Sequence, residues 1–314
     1  MRPVEVSVVL AVRNDPPGAE SAVRSVLGQT GVEIEVVAID DGSDDATGSL
    51  LDRLSEQDDR LRVLHEPHRG LTGALARGCG VARAPWIARQ DAGDWSEPDR
   101  LRRQMELVRS EPGLVFVSCC TRCLGPGGEL LQVVQGGRSS SEPVRLDPAA
   151  PPGNESCGPT AHGSVVFQRA AYEAAGGYRQ AFRLAQDWDL WWRLAERGEF
   201  ALVPEVLYTR TLTLDSLSFT RSREQARLGE LARDAALARL EGRGDEQKVE
   251  EAAALSARIG PAIAGRRERA RALYFIGSLL RERHDPRARA YFARALRQDP
   301  FSARAWLRWM GNLP

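Results

Sequence analysis

Short apolar runs alternate with amphipathic segments along the first part of the chain. The runs over 6–12 and 34–39 are nearly continuous in apolar residues, as is typical of strands covered on both faces of a parallel sheet. Between them, Ala22, Val23 and Val26 recur at helical spacing. This alternation predicts an α/β fold with a largely parallel sheet and helices on both faces. Strands are predicted at 4–12, 33–39, 61–64, 86–90 and 114–119, and helices at 18–29, 45–57, 70–81 and 97–110.

The pattern changes twice further along the chain. The stretch 136–161 is rich in Gly, Ser and Pro and is expected to be the longest loop. From about residue 216 onward, Arg, Ala, Leu and Glu dominate at helical spacing. The sequence therefore predicts one domain over 1–215 and an all-helical region over 216–314.

Within the helical region, 266–310 predicts a helical hairpin and a following helix. Tyr291 and Phe292 are placed as in the second helix of a tetratricopeptide repeat, but such arrays need about three repeats to bury their core. We therefore expect this partial repeat to pack on the first domain as a cap. The residues expected to make that contact are Leu273, Phe275, Ile276, Leu279 and Leu280.

Acidic residues follow the predicted strand at 86–90. Asp91 and Asp94 lie in the segment RQDAGD, directly after that strand. Carboxylates crowded at the end of a buried strand repel one another unless a cation lies between them, and oxygen ligands suit Mg²⁺ or Mn²⁺. The alternative is a polar turn with solvated acids.

Two other strand ends carry polar side chains. Arg13-Asn14-Asp15 follows the first strand, and Asp40-Asp41-Gly42-Ser43 follows the second. Ligands of open α/β sheets bind just outside the carboxyl ends of the strands. The three strand ends are therefore expected to face one crevice.

Together these segments resemble family 2 glycosyltransferases of the GT-A fold, the fold of nucleotide-diphospho-sugar transferases. The resemblance is carried, in order, by VSVVLAVRND, VVAIDDGSDDAT, RGLTGALARG and WIARQDAGDWSEPDRL. The later segments TAHGSVVFQRAAYEAAGGYR and AQDWDLWWRL look like the acceptor half of the same family. It covers about the first two thirds of the chain.

The resemblance implies a nucleotide pocket and a diphosphate contact. Asp40 would accept a hydrogen bond from the base, and Arg69 with Gly70 would contact the diphosphate. The alternatives are helix capping by Ser43 and Asp44, and ordinary helix packing after Gly70. The implied nucleotide-binding residues are Val12, Arg13, Asn14, Asp15, Asp40, Asp41, Ser43, Arg69, Gly70 and Asp91.

The resemblance also implies the metal ligands and the general base. Asp91 and Asp94 would hold Mg²⁺ or Mn²⁺, although Gly93 occupies the position of the family's second acid; a metal-independent enzyme stays open. Asp187 aligns with the family's general base, while Gln186 replaces the usual Glu. The alternative for Asp187 is a favourable charge at a helix N-terminus.

Three side chains are candidates for contact with the acceptor. Trp188 follows the expected base, Trp95 follows the acidic motif, and His162 heads a strand-like run. Each also has a structural alternative, since Trp residues at helical spacing are typical of a core and a neutral His often anchors a loop.

Composition narrows the class of protein. The 314 residues carry 43 basic and 43 acidic side chains, so nothing favours a nucleic-acid partner. No apolar run approaches the roughly 20 residues that span a bilayer, and the start lacks a signal-peptide pattern. A cytoplasmic location is expected, with peripheral membrane contact left open.

The cysteine pattern agrees with that location. Five cysteines, an odd number, fit a reducing compartment. Cys119, Cys120 and Cys123 form one cluster, which is interpreted as buried free thiols, not half of a zinc site.

The resemblance thus implies an inverting, non-processive transferase. The donor would be a nucleotide-diphosphate sugar, with a UDP-sugar expected because the family commonly uses UDP. The acceptor would be a hydroxyl of a saccharide or of a lipid-linked molecule. The alternative is a nucleotide-sugar-binding protein with weakened catalysis, suggested by Gly93, Gln186 and Ala76. A processive synthase is disfavoured because Ala305 replaces the Gln of the Q-x-x-R-W motif. A nucleotidyltransferase is disfavoured because no Gly-rich phosphate loop follows the first strand.

Overall fold

The computed structural model describes residues 3–136, 141–150, 158–214, 216–260 and 265–311. Within these ranges, nine strands form one mixed sheet flanked by helices. The strands are β1 (Val6–Val12), β2 (Ile34–Asp40), β3 (Leu61–His65), β4 (Trp86–Asp91), β5 (Trp95–Ser96), β6 (Leu114–Leu124), β7 (Leu130–Val134), β8 (Val166–Gln168) and β9 (Glu199–Thr211). The helices are α1 (Pro16–Leu27), α2 (Thr47–Ser55), α3 (Gly70–Val81), α4 (Arg100–Ser110), α5 (Arg169–Ala174), α6 (Gln186–Ala195), α7 (Leu217–Thr220), α8 (Ser222–Leu240), α9 (Glu246–Ala257), α10 (Arg266–Glu282), α11 (Ala288–Gln298) and α12 (Ala303–Met310).

The sheet brings the polar strand ends together, as predicted. The strand order is β3-β2-β1-β4-β8-β6-β9-β5, with β7 paired to β6. Strands β1 to β4 run parallel, and their register places Val12 beside Asp40 and Ala11 beside Asp91. Strand β8 is antiparallel to both of its neighbours and joins this part to the parallel pair β6 and β9. The α/β fold with helices on both faces is thereby confirmed.

Some element boundaries differ from the sequence-based prediction. Helix α4 begins at Arg100, not at 97, because Trp95 and Ser96 pair with β9 as a short strand. Strand β6 continues to Leu124, through the cysteine cluster, and β9 was not predicted. Of the long loop expected over 136–161, the parts 137–140 and 151–157 lie outside the described residues.

Two hydrophobic clusters cover the two faces of the sheet. On one face, Val23 of α1, Leu51 of α2 and Leu101 of α4 are fully buried. The other face is covered by α3, α5 and α6, and also by residues of α8 and α9. Leu231 of α8 and Ala252 of α9 belong to this second cluster. Helices α8 and α9, which follow the proposed boundary at 215, therefore share the core of the sheet; the boundary itself stays a prediction.

Helices α10 to α12 pack against β6, β7 and the segment just after β9 through a third cluster. Leu273, Ile276 and Leu280 are buried in it and Leu279 is partly buried, so these expected contacts are confirmed. Phe275 is an exception, because it is 43% exposed and meets Phe219 edge-on. The cap formed by α10 to α12 thus packs on β6 and β7.

The cysteines are structural where the model describes them. Cys79, Cys119, Cys120 and Cys123 are free and buried, as predicted for the cluster. Burial raises the pKa of the Cys119 thiol to about 12, so it stays protonated and inert. Among the described residues, none of the helices is long and apolar enough to cross a bilayer. The cytoplasmic location stays a prediction.

The shared core predicts that α8 stabilises the sheet domain. Replacing Leu231 with Ala removes side-chain packing at a site that is 2% exposed and should lower the free energy of unfolding by about 2–5 kcal/mol. Leu240→Ala on the same helix, at a site 59% exposed, should change it by less than about 0.5 kcal/mol. Denaturant unfolding of both variants measures the difference. Equal stabilities would mean that α8 is only loosely attached.

Candidate active site

Two adjoining cavities open at the carboxyl ends of β1, β2 and β4. Their volumes are about 720 and 590 Å³. Leu71, Arg183 and Leu184 line both and form the partition between them. We call the larger one the acidic cavity and the smaller one the loop cavity.

The loop cavity collects most of the predicted nucleotide-binding residues. A hydrogen-bonded link between the loops after β1 and β2 shapes its rim. Asn14 has a φ of 53°, which Asn tolerates better than most residues. Its backbone N–H donates to Ser43 Oγ over 3.0 Å, and its Nδ2 donates to Asp44 Oδ1 over 2.7 Å. The predicted residues that line this cavity are Val12, Arg13, Asn14, Asp41, Arg69 and Gly70.

The two adjacent acids after β2 have different surroundings. Asp40 accepts a hydrogen bond from the Ser43 N–H and contacts His65 Nδ1 at 3.0 Å, and it does not line either cavity. Burial opposes its ionisation, but hydrogen bonds from Ser43 and His65 outweigh this and lower the pKa of Asp40. Asp41 lines the loop cavity and accepts from the Arg69 N–H over 2.7 Å. Of the two acids, Asp41 is thus the one that faces the loop cavity.

The acidic cavity collects most of the remaining predicted groups, whereas Asp40, Ser43 and Trp95 line neither cavity. Asp15 reaches it from the N-terminus of α1, where Asp15 Oδ1 accepts from the Gly18 N–H over 3.0 Å. Trp95 does not line it and is 42% exposed on β5. The predicted site residues along its wall are Asp15, Asp91, Asp94, His162, Asp187 and Trp188.

Asp91 and Asp94 form an electrostatically strained pair. Arg89 Nη2 donates to Asp91 Oδ1 over 2.8 Å. Burial opposes ionisation of Asp91, but Arg89 and the other nearby cations outweigh it and lower its pKa. Asp94 accepts from the Tyr208 hydroxyl over 2.9 Å and from the Thr211 N–H over 3.1 Å. Burial, and next the charge of Asp91, nevertheless raise the pKa of Asp94 to about 7.

This pair fits a divalent ion only in part. A cation would relieve the repulsion that raises the pKa of Asp94. The described residues contain no group of three or more His, Cys, Asp or Glu side chains that could hold a metal ion by themselves. A hard ion held here would therefore need further oxygens from a phosphate or from water, as Mg²⁺ commonly does.

Gly93 has a structural reason to remain glycine. Its φ of +79° is a conformation that L side chains rarely adopt. Its N–H donates to Gly18 O over 3.0 Å, which ties the turn between β4 and β5 to the first turn of α1. An acid at this position would be strained, so the displaced Asp94 is the second carboxylate that this turn can present.

Asp187 lies in the first turn of α6 and lines the acidic cavity. Its Oδ1 accepts from the Trp188 N–H over 2.9 Å. Burial raises the pKa of Asp187 to about 6, against the lowering effect of that hydrogen bond. Asp189, two residues on, points away and is buried between Arg179 and Arg193. Only Asp187 of the two can serve a ligand in the cavity.

His162 is held in a neutral state. Its Nε2 contacts the Tyr178 hydroxyl at 2.7 Å and accepts from Arg89 Nε at 3.5 Å. Burial, and next the charge of Arg89, lower the pKa of His162 to about 3. It can therefore offer a neutral polar contact but no positive charge. Trp188 lies beside Trp192, at 5.3 Å between ring centroids, and forms part of the cavity wall.

Four arginines of the site were not predicted from the sequence. Arg89 and Arg100 are fully buried beneath the cavity, while Arg183 and Arg210 line it. Arg183 Nη1 donates to Ser256 O over 3.3 Å, so α9 helps to fix the partition. Arg89 could have been noticed locally, because it is a charged residue within an otherwise apolar strand just before Asp91. Nothing local distinguishes Arg210 within β9.

Comparisons with known proteins point to one enzyme family. Residues 7–143 match the family model described as glycosyl transferase family 2. The hyaluronan synthase of Pasteurella multocida is 26% identical over 216 residues, which are 69% of this chain and 21% of that protein.

Two solved structures share the fold. The mannosyltransferase PcManGT from Pyrobaculum calidifontis, in complex with GDP-Man and Mn²⁺, has a TM-score of 0.57 at 19% identity, covering 98% of this chain and 84% of that one. S. aureus TarS 1-349 in complex with UDP has a TM-score of 0.55 at 14% identity, covering 98% of this chain and 89% of that one.

Residues 7–143 thus match glycosyl transferase family 2, and the fold is the GT-A fold. The resemblance seen in the sequence motifs is thereby confirmed. The chain spans about a fifth of the length of the Pasteurella multocida hyaluronan synthase that it matches.

Proposed function

We propose that this protein is an inverting, non-processive glycosyltransferase that uses a UDP-sugar. One observation carries the proposal. The loop cavity, which holds most of the predicted nucleotide-binding residues, meets the acidic cavity at Leu71, Arg183 and Leu184. A donor lying across this partition would place its diphosphate and sugar beside Asp91 and Asp187.

On the donor side, Asp41 would accept the imide N–H of uracil. Arg13, Arg69 and Arg183 would supply positive charge along the path of the diphosphate. UDP is supported by the TarS complex, whereas the mannosyltransferase carries GDP-Man, so the base is part of the proposal. The contact of Asp40 with the base stays a prediction.

Asp91 and Asp94 would hold Mg²⁺ or Mn²⁺ together with donor phosphate oxygens. Such an ion neutralises charge that develops on a departing diphosphate. The Mn²⁺ in the mannosyltransferase complex supports this assignment. The Arg89 side chain keeps Asp91 ionised and in place.

On the acceptor side, Asp187 would act as the general base. A saccharide or lipid-linked hydroxyl gives its proton to Asp187 while its oxygen bonds to the anomeric carbon. The bond from that carbon to the diphosphate oxygen breaks with its electron pair leaving on the diphosphate, and the configuration inverts. Trp188 and His162 would contact the acceptor. Trp95 stays a predicted contact only for a ligand that extends out of the cavity.

A binding protein without catalysis is the second candidate. It is favoured by Gln186, whose buried Oε1 has no hydrogen-bond partner among the described residues at the position where the family has Glu. The retained Asp187 favours the enzyme, because its elevated pKa suits proton transfer near neutral pH.

Removal of Asp91 should remove the effect of metal on donor binding. In Asp91→Ala, calorimetry should find that UDP binds equally with and without Mn²⁺, whereas the wild type binds more tightly with Mn²⁺. Asp59→Ala, an exposed site on a different loop, serves as the control. An unchanged Mn²⁺ effect in Asp91→Ala would refute the metal assignment, and Asp94→Ala then tests the second carboxylate.

Removal of the base should separate binding from turnover. Asp187→Asn should lower kcat for a UDP-sugar about 10²–10⁴-fold while leaving UDP affinity unchanged. Asp59→Asn, again exposed, is a better control than Asp189→Asn, because Asp189 lies in a buried ion network. Wild-type turnover in Asp187→Asn would exclude the role. No turnover of any UDP-sugar by the wild type, with water or saccharide as acceptor, would favour the binding protein.

The pH dependence should follow Asp187 and respond to Arg210. A base must be unprotonated, so kcat/KM should rise with pH through about 6. The charge of Arg210 lowers the pKa of Asp187. Arg210→Gln should therefore move this rise to higher pH, by up to about one unit. Arg24→Gln on the exposed face of α1 should leave the profile in place. A shift to lower pH, or none, would exclude this coupling.

A further inference from the structure

The solvent-facing side of α12 is apolar. Leu307 is 67% exposed, Met310 47% and Trp306 41%, and Phe301 just before the helix is 94% exposed. Water-exposed helices normally present polar side chains on this side. Four of the nine large hydrophobic residues that are exposed in the described ranges thus fall within ten positions.

The helix is held in this orientation by its other side. Ala305 is buried, and Trp309, one turn on, packs into the same cluster as Phe292. Trp306 is fixed on the outer side, where its Nε1 donates to Pro300 O over 2.8 Å. The apolar face is therefore a built feature of the fold. We call Phe301, Trp306, Leu307 and Met310 the outer face.

Charge is distributed unevenly along the chain. Residues 265–311 contain twelve arginines, no lysine and four acidic residues, a formal net charge of +8. The whole chain is neutral, so the remainder carries an equal acidic excess. Arg304 and Arg308 lie on α12 itself and are exposed on the flank of the outer face. An apolar edge bordered by arginines is typical of helices that lie in a membrane interface.

We propose that the outer face of α12 docks the protein on an anionic lipid bilayer. The four apolar side chains enter the headgroup region, while the surrounding arginines attract the negative surface. The acidic remainder of the chain is repelled by the same surface. This charge asymmetry orients the molecule with α10 to α12 toward the lipid.

Other partners account for fewer of these observations. A nucleic acid would engage the arginines but leaves Leu307 and Met310 without a role, since phosphate contacts are polar. A second copy would bring two surfaces of the same charge together. A bilayer uses both the apolar and the cationic features.

Vesicle sedimentation with the whole protein tests the proposal. Binding should occur to vesicles of equimolar phosphatidylcholine and phosphatidylglycerol, be weak on phosphatidylcholine alone, and fall as salt is added. Leu307→Gln with Met310→Gln should weaken binding about tenfold. Leu240→Gln, at an apolar site of similar exposure on α8, should have no effect.

The charge contribution is tested separately. Arg304→Gln with Arg308→Gln should weaken binding about fivefold per arginine, whereas Arg24→Gln on α1 should not. UDP affinity should be unchanged in every variant, which keeps this result distinct from the proposed enzymatic role. No binding to anionic vesicles would overturn the proposal. Duplex DNA binding or self-association in place of vesicle binding would overturn it too, and so would vesicle binding that survives both double substitutions.

Discussion

The site depends on how negative charge is tolerated inside the fold. Asp91, Asp94 and Asp187 face one cavity at the end of a sheet whose interior disfavours ions. The counter-charge comes from Arg89, which is fully buried and donates to Asp91 and to the carbonyl of Val9 on the neighbouring strand. Because a buried charge must be paired, the arginine and the carboxylate fix each other. Arg89 thus links the pairing of β1 with β4 to the position of Asp91, so that neither can change without the other.

The same constraint reaches the acceptor side through a second buried arginine. Arg100 Nη1 donates to Gly163 O over 2.5 Å, and its Nη2 donates to Arg89 O over 3.1 Å. A Cβ at Gly163 would lie 1.8 Å from the Tyr208 hydroxyl oxygen, so glycine lets that hydroxyl reach Asp94. The segment at His162, strand β9 and the metal-type carboxylates therefore adopt their positions together.

The local pattern of apolar and polar residues was enough to predict the first half of the fold and of the site. Parallel strands buried on both faces are near-continuous apolar runs, so β1, β2 and the acids that follow them could be predicted. Which of Asp40 and Asp41 lines the loop cavity could not be predicted, because this depends on which of two adjacent side chains turns toward the cavity. Arg210 was missed because β9 meets its partner β6 across a long stretch of sequence, which leaves no local signal. The particular contacts of α8 and α9 with the core could not be predicted for the same reason, since helical periodicity shows a buried side but not what covers it.

The contacts of α9 bear on how this chain could be recombined with its relatives. Arg183 on the cavity partition is held by the carbonyls of Ser256 and Ile259, and Arg179 pairs with Asp245 at the start of the same helix. A chimera joined at residue 215 would import a foreign helical pair and lose both anchors. A junction at 260 keeps the partition and its supports from one parent. The unit that can be exchanged intact is therefore larger than the stretch that carries the recognisable motifs.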